Sequence, residues 1–332
     1  MRTNADAAAY IWSMAQGPDP QALRRMRERF PLPRKPMGEA WFMGNARRMY
    51  DSLMVDAPER WPRDELHIAL EALTSGPTSF GELPEWSEWF RFLLPRTVAL
   101  DNGPRLFSPL EILASAVMIH RPDSDDWSGD YPQFRQDVLE TLGRALFGPV
   151  RKRICRLQTE QAPLTVEHTT SGHQFIGGDL YSASVFLVAK YLPLDQLSGW
   201  LDSLVRIDDP LWRANWVVWL AQADWLVARE GKQPCDPPKG RPNASWQMSH
   251  CICGSTPSPN VDRDARPMPF LRPQRRECLL EAIRDCTPQG RLKQWRNDLA
   301  ALSLRSEVDL GVAIWQYEQA AIQATAAYGL KP

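Results

Sequence analysis

The chain has 332 residues, 43% of them hydrophobic, a formal net charge of −1 and six cysteines. That length suffices for one large core or two ordinary ones. The near-zero charge excludes a global field toward nucleic acid or anionic lipid, and six cysteines are too few for a disulfide framework.

Helical periodicity runs through most of the chain. Asp19-Pro20 opens a helix over 19–30 with an acidic cap and a proline at its first position. Apolar spacings of three and four continue through 38–55, 62–76, 84–94, 108–120 and 131–148. In the fifth of these helices Ser108 caps, Pro109 follows and Glu111 is the reciprocal partner. Residues 163–178, "PLTVEHTTSGHQFIGG", break the pattern with β-branched residues around Ser171-Gly172 and read as one small β-hairpin. Helices resume over 179–192, 194–207 and 209–230, and after a long interruption over 272–286, 289–303 and 307–328.

The expected fold is all-α: packed helical pairs, arranged as an α-solenoid or an irregular bundle, with at most the one hairpin near 163–178. The stop-start rhythm around 180–230 is loosely similar to HEAT-type helical pairs, a likeness of architecture, because no fixed period spans the chain. An N-terminal helical region over 1–160 and a C-terminal one over 179–332 are expected, either separate or forming one continuous domain. No stretch of about 18 uninterrupted apolar residues offers a membrane span. "MRTNADAAAYIWSMAQ" lacks the blocks of a secretory signal. A soluble, cytoplasmic protein with reduced thiols and no membrane contact is expected.

Trp212, Trp216 and Trp219 lie at i, i+4 and i+7 and share a helical face. With Leu211, Val218 and Trp225 beside them, that helix is apolar around most of its circumference and belongs in a core.

Residues 231–272 are rich in proline and hold little periodicity. A loop this long is usually functional or unstructured. It carries Trp246, which is placed either as a contact residue or as a peg to the helical body. It also carries the one candidate metal set, Cys235, His250, Cys251 and Cys253, which would hold zinc through three thiolates and an imidazole. The Cys-x-Cys step is tighter than the usual zinc knuckle, so the plainer expectation is no cofactor. Arg263, Arg266, Arg272, Arg275 and Arg276 flank the loop and form the candidate interaction surface, toward a protein or toward phosphates. A second basic cluster runs through Arg144, Arg151, Lys152, Arg153 and Arg156.

Asp123, Asp125, Asp126 and Asp130 crowd the turn "RPDSDDWSGD", and clustered carboxylates can hold Mg²⁺. Its "DDWSGD" part resembles the aspartate-rich motif of terpene synthases, which are also all-α; the resemblance implies Mg²⁺ held against a diphosphate. That family's second metal motif sets Asn, Ser or Thr, and Glu at four-residue steps on a late helix. Here Asn297 is followed by Ala301 and Arg305, so the second half is missing. His168 and His173 fall on one face of the expected hairpin, without an evident third ligand.

No Walker loop, nucleophile elbow, zincin or dinucleotide fingerprint is present. The expectation is a non-enzymatic helical scaffold that binds another protein, of a regulatory or immunity type in a bacterial setting. Two alternatives stand beside it: a metal-dependent enzyme using the Cys/His loop or the Asp-rich turn, and a nucleic-acid-binding subunit.

Overall fold

Two Asp-Pro steps begin helices for the same reason. The Asp19 carboxylate accepts from the backbone N–H of Gln21 and Ala22 at 2.9 and 3.3 Å and caps α1 (Pro20–Arg29). The Asp209 carboxylate accepts from Trp212 N–H at 2.8 Å and caps α9 (Pro210–Val227). In each case the proline occupies a position whose N–H would have had no partner.

The computed structural model describes residues 9–13, 16–41, 44, 46–80, 84–100, 109–123, 125–127, 129–147, 152–154, 157–159, 166–169, 172–175, 179–229, 244–253, 269–306 and 309–330. Between α1 and α9 lie α2 (Arg63–Phe80), α3 (Pro84–Ala99), α4 (Pro109–His120), α5 (Phe134–Val138), α6 (Arg144–Phe147), α7 (Asp179–Tyr191) and α8 (Leu197–Val205). After α9 come α10 (Ser249–Cys253), α11 (Pro273–Cys286), α12 (Gln289–Ser306) and α13 (Gly311–Tyr328). The fold is all-α, built from packed helix pairs.

The pairing is not sequential. α4 packs on α2 and α7, α8 on α11, and α9 on both α12 and α13. Stacked repeats would touch only their neighbours in the chain, so this is an irregular bundle. Its buried apolar side chains form one contiguous cluster from Tyr10 to Leu330. Among the described residues no helix is long and apolar enough to cross a membrane.

α9 is the central post. Its three aligned indoles are buried, and each N–H has a partner: Leu204 O at 2.8 Å for Trp212, Thr287 Oγ1 at 3.2 Å for Trp216, and Ser182 Oγ at 3.0 Å for Trp219. Trp216 and Trp219 also stack, with centroids 5.3 Å apart. Buried indoles need such partners, because an unpaired N–H loses its water without compensation.

A π-helical turn (Leu139–Gly143) joins α5 to α6. Tyr10 of the N-terminal segment lies against it and donates its hydroxyl to Leu139 O at 2.9 Å. A Cβ on Gly143 would stand 2.7 Å from that hydroxyl, so the close approach requires glycine. The same segment hydrogen-bonds α8 through Trp12 N–H and Ser203 Oγ. It thus ties the two halves of the chain together.

The described residues hold two hairpins, one more than the sequence reading allowed. β3 (Val166–Thr169) and β4 (Gly172–Phe175) form the expected one, with His168 directly opposite His173. β1 (Lys152–Ile154) and β2 (Leu157–Thr159) form the other and absorb part of the second basic cluster. Three-residue strands are too short to show an alternation of period two.

Candidate functional site

Trp246 is buried at 5% exposure. Its indole N–H donates to Ser115 Oγ of α4 at 2.9 Å, and its ring packs on Phe186 of α7. It is the peg that seats residues 244–253 on the helical body, since an indole gains most when its ring is covered and its N–H is paired.

Of the candidate metal set, Cys235 and the side chain of Cys253 lie outside the described residues. His250 is exposed on α10. Cys251 is buried, with its thiol in hydrogen-bonding reach of the Thr74 and Thr78 hydroxyls, and burial pushes that thiol above its ordinary range. Among the described residues no three His, Cys, Asp or Glu side chains gather as metal ligands.

The Asp-rich turn and the arginine patch, read separately from the sequence, meet each other. Arg272 donates to Asp125 at 2.7 Å and pairs with Asp123. Asp130 is buried between Arg91, at 2.8 Å, and Arg121, at 2.6 Å. Guanidinium groups thus already neutralise Asp123, Asp125 and Asp130, three of the carboxylates a Mg²⁺ ion would have to bind.

Arg275 is buried at 3% exposure and donates to Ala189 O and Leu192 O at 3.1 and 2.5 Å. It caps the C-terminus of α7, where orphan carbonyls and the helix dipole favour a cation. Arg275 is therefore not available to a partner, and Arg272 is already paired. Arg276 is half-buried, and Arg263 and Arg266 lie outside the described residues. Beside this cap Lys190 is buried, donates to Phe270 O at 2.8 Å, and is pushed down by burial to about 8.

The surface best suited to a partner lies elsewhere, on α12 and α13. α13 turns Ala313, Tyr317, Ala320, Ala324 and Tyr328 inward. The Tyr317 hydroxyl donates to Leu292 O at 2.8 Å, and the Tyr328 hydroxyl to Leu220 O at 2.9 Å. Arg296 and Glu318, 2.9 Å apart, join the two helices.

The opposite row of α13 holds Trp315 and Ile322, 60% and 67% exposed and two turns apart on one face. On α12, Lys293, Asn297 and Leu304 share a face by the same spacing, and Leu304 is 83% exposed. Between the helices runs an open groove of about 860 Å³, with Leu292, Tyr317, Ala321, Ile322 and Ala326 on its walls and Lys293 at its edge.

The groove has two unlike rims. On α12, Lys293 lines the groove, is exposed and has no ion-pair partner among the described residues, while Asp298 faces away toward Arg213 at 3.5 Å. The one acid of α13, Glu318, is held by Arg296. The α12 rim is thus basic and the α13 rim uncharged. Sequence reasoning passed over this face by treating tryptophans as core residues. The signal that would have found it is the placement of Trp315 and Ile322, seven residues apart, off the face of Tyr317, Ala320 and Ala324.

No family model, no curated protein and no solved structure matches the chain.

Proposed function

We propose that the protein is a non-enzymatic helical scaffold of a regulatory or immunity type, and that it binds another protein in the α12–α13 groove. The observation that carries this reading is the open groove between α12 and α13 with the exposed Ile322 on its wall and the exposed Trp315 two turns before it on the same face of α13. Large apolar side chains gathered at one place on a surface mark an interaction site, whereas scattered ones do not. Two anchors seven residues apart beside a groove suit a helix laid lengthwise. The basic α12 rim and neutral α13 rim favour an amphipathic helix with carboxylates along one flank. The work is assigned to the cytoplasm, in keeping with the free thiols of Cys251, Cys278 and Cys286.

The test uses fluorescent designed helices with a leucine stripe and one charged flank. The Glu-flanked helix is expected to bind the full chain more tightly than the Lys-flanked one, and Lys293→Glu to reverse the order. Equal binding of both, or no change on Lys293→Glu, overturns the charge complementarity. If neither helix binds and the chain sediments as a dimer that Trp315→Ala dissociates, the groove serves a second copy instead.

A further inference from the structure

A second recess, of about 380 Å³, lies on the far side of the docked loop, and its chemistry is unlike that of the groove. Glu71, Ser75 and Thr78 of α2 form one wall, Met248 and His250 the other, and Trp41 the rim. We propose that this recess binds a small primary ammonium compound.

Charge is the first reason. The Glu71 carboxylate is its one permanently charged group, and no lysine or arginine stands among the described lining residues. His67 Nε2 lies 3.3 Å from Glu71 Oε1, a pair that is ionic only when the imidazole is protonated.

Hydrogen-bond polarity is the second. The Ser75 hydroxyl donates to Glu71 O at 2.9 Å, and the Thr78 hydroxyl to Ser75 O at 3.0 Å. A hydroxyl has one proton and two lone pairs. With the proton committed to the helix backbone, what each offers the recess is an acceptor. Glu71, Ser75 and Thr78 thus present acceptors, which an ammonium with three N–H donors satisfies, while the Ser79 hydroxyl on the same lining can donate or accept. Cys251 behind them keeps its proton, because burial raises its thiol, and so adds no second negative charge.

The third reason is the rim. Trp41 is 63% exposed and packs T-shaped on Phe80, with centroids 5.6 Å apart, so most of its indole is uncovered. An indole face attracts a cation and covers its hydrocarbon stem. Met248 brings a polarizable thioether to the same recess. It does so at φ 62°, in the left-handed region that a residue with a Cβ rarely adopts. Hydrogen bonds from Gln247 N–H to Glu111 and from Ser115 to Gln247 O fix the preceding residue, and Cys251 N–H donates to Met248 O. A backbone held under strain at the wall of a recess is a feature of binding sites.

Calorimetric titration of the full chain with n-butylamine, tetramethylammonium and butyrate tests this. Saturable binding of n-butylamine is expected, with tetramethylammonium weaker, because it has no N–H to donate, and butyrate silent. Glu71→Gln is expected to weaken n-butylamine about tenfold or more through loss of a charge-assisted hydrogen bond. Trp41→Ala should weaken it several-fold through loss of the cation–π contact. Both side chains are at least partly exposed, so both variants should fold, as unchanged far-UV circular dichroism would confirm. No saturable binding of n-butylamine, equal binding of tetramethylammonium, or undiminished binding in both variants overturns the proposal.

Discussion

α9 and α13 are both eighteen residues long, and both are predominantly apolar. Yet α9 buries fifteen of its residues and α13 only five. The sequences differ less than the surroundings do. α9 is enclosed by α7, α8, α11, α12 and α13 and by Trp12 of the N-terminal segment, whereas α13 closes one side of the bundle and has α9 behind it. An apolar circumference therefore states a demand for cover, and the fold meets that demand for α9 alone. The uncovered row of α13 is what the docking proposal rests on.

The contrast can be broken by substitution. Trp216→Ala on α9 removes a stacked indole from a closed core and should cost about 3–5 kcal/mol, read by denaturant unfolding. Trp315→Ala on α13 should change stability by no more than about 0.5 kcal/mol. Similar losses for the two would mean that α13 is not the open helix described.

Acid sharpens the comparison at another enclosed site. His120 is buried, stacked on Phe90 with centroids 4.5 Å apart, and bonded through Nε2 to Leu73 O at 3.2 Å. Burial lowers its pKa from 6.5 to about 3. The folded state thus binds this proton more weakly than the unfolded chain does, so its contribution is fully present above about 6.5 and is lost as pH falls toward 3. Wild-type stability should drop by a few kcal/mol more across that window than the stability of His120→Gln. Equal acid sensitivity would show that the ring is not held neutral.

A smaller effect is expected at Gly76. A Cβ there would stand 2.7 Å from the buried Trp86 ring. In a helix interior alanine is favoured over glycine by about 1 kcal/mol, but a clash with an enclosed ring costs about 1–3 kcal/mol. Gly76→Ala should therefore lower the melting temperature, and a rise would show that α2 and α3 are looser than described. Smallest of all is Leu304→Ala, within about 0.5 kcal/mol by the same thermal scan, because its side chain is 83% exposed.

What the sequence made legible is what is settled locally. The Asp-Pro caps and the indole row of α9 follow from spacings within one or two turns, and the structure has them where expected; the helix expected over 38–55 is instead a bridge between Gly38 and Met49 with a 3-10 turn at Asp51–Leu53, and α2 and α3 run past the ends read at Gly76 and Leu94 to Phe80 and Ala99. The misplaced site residues involve distance along the chain. Trp246 meets Ser115 from 131 positions away, and Arg272 meets Asp125 from 147. No local pattern separates a guanidinium that will cap α7 from one that will greet a partner. The α2–α10 recess was half legible: His250 and Cys251 were singled out as metal ligands, but the residues opposite them, Glu71, Ser75 and Thr78, come from a helix read only as amphipathic. The groove was illegible for another reason. Which face of an apolar helix stays uncovered depends on how many neighbours the fold supplies.

The most direct measurement is fluorescence anisotropy of the Glu-flanked helix titrated with the wild-type chain and with Trp315→Ala/Ile322→Ala, melting temperatures being compared in parallel. The account predicts that the double variant melts with the wild type and loses the helix. A variant that melts with the wild type and still holds the helix undiminished would contradict it.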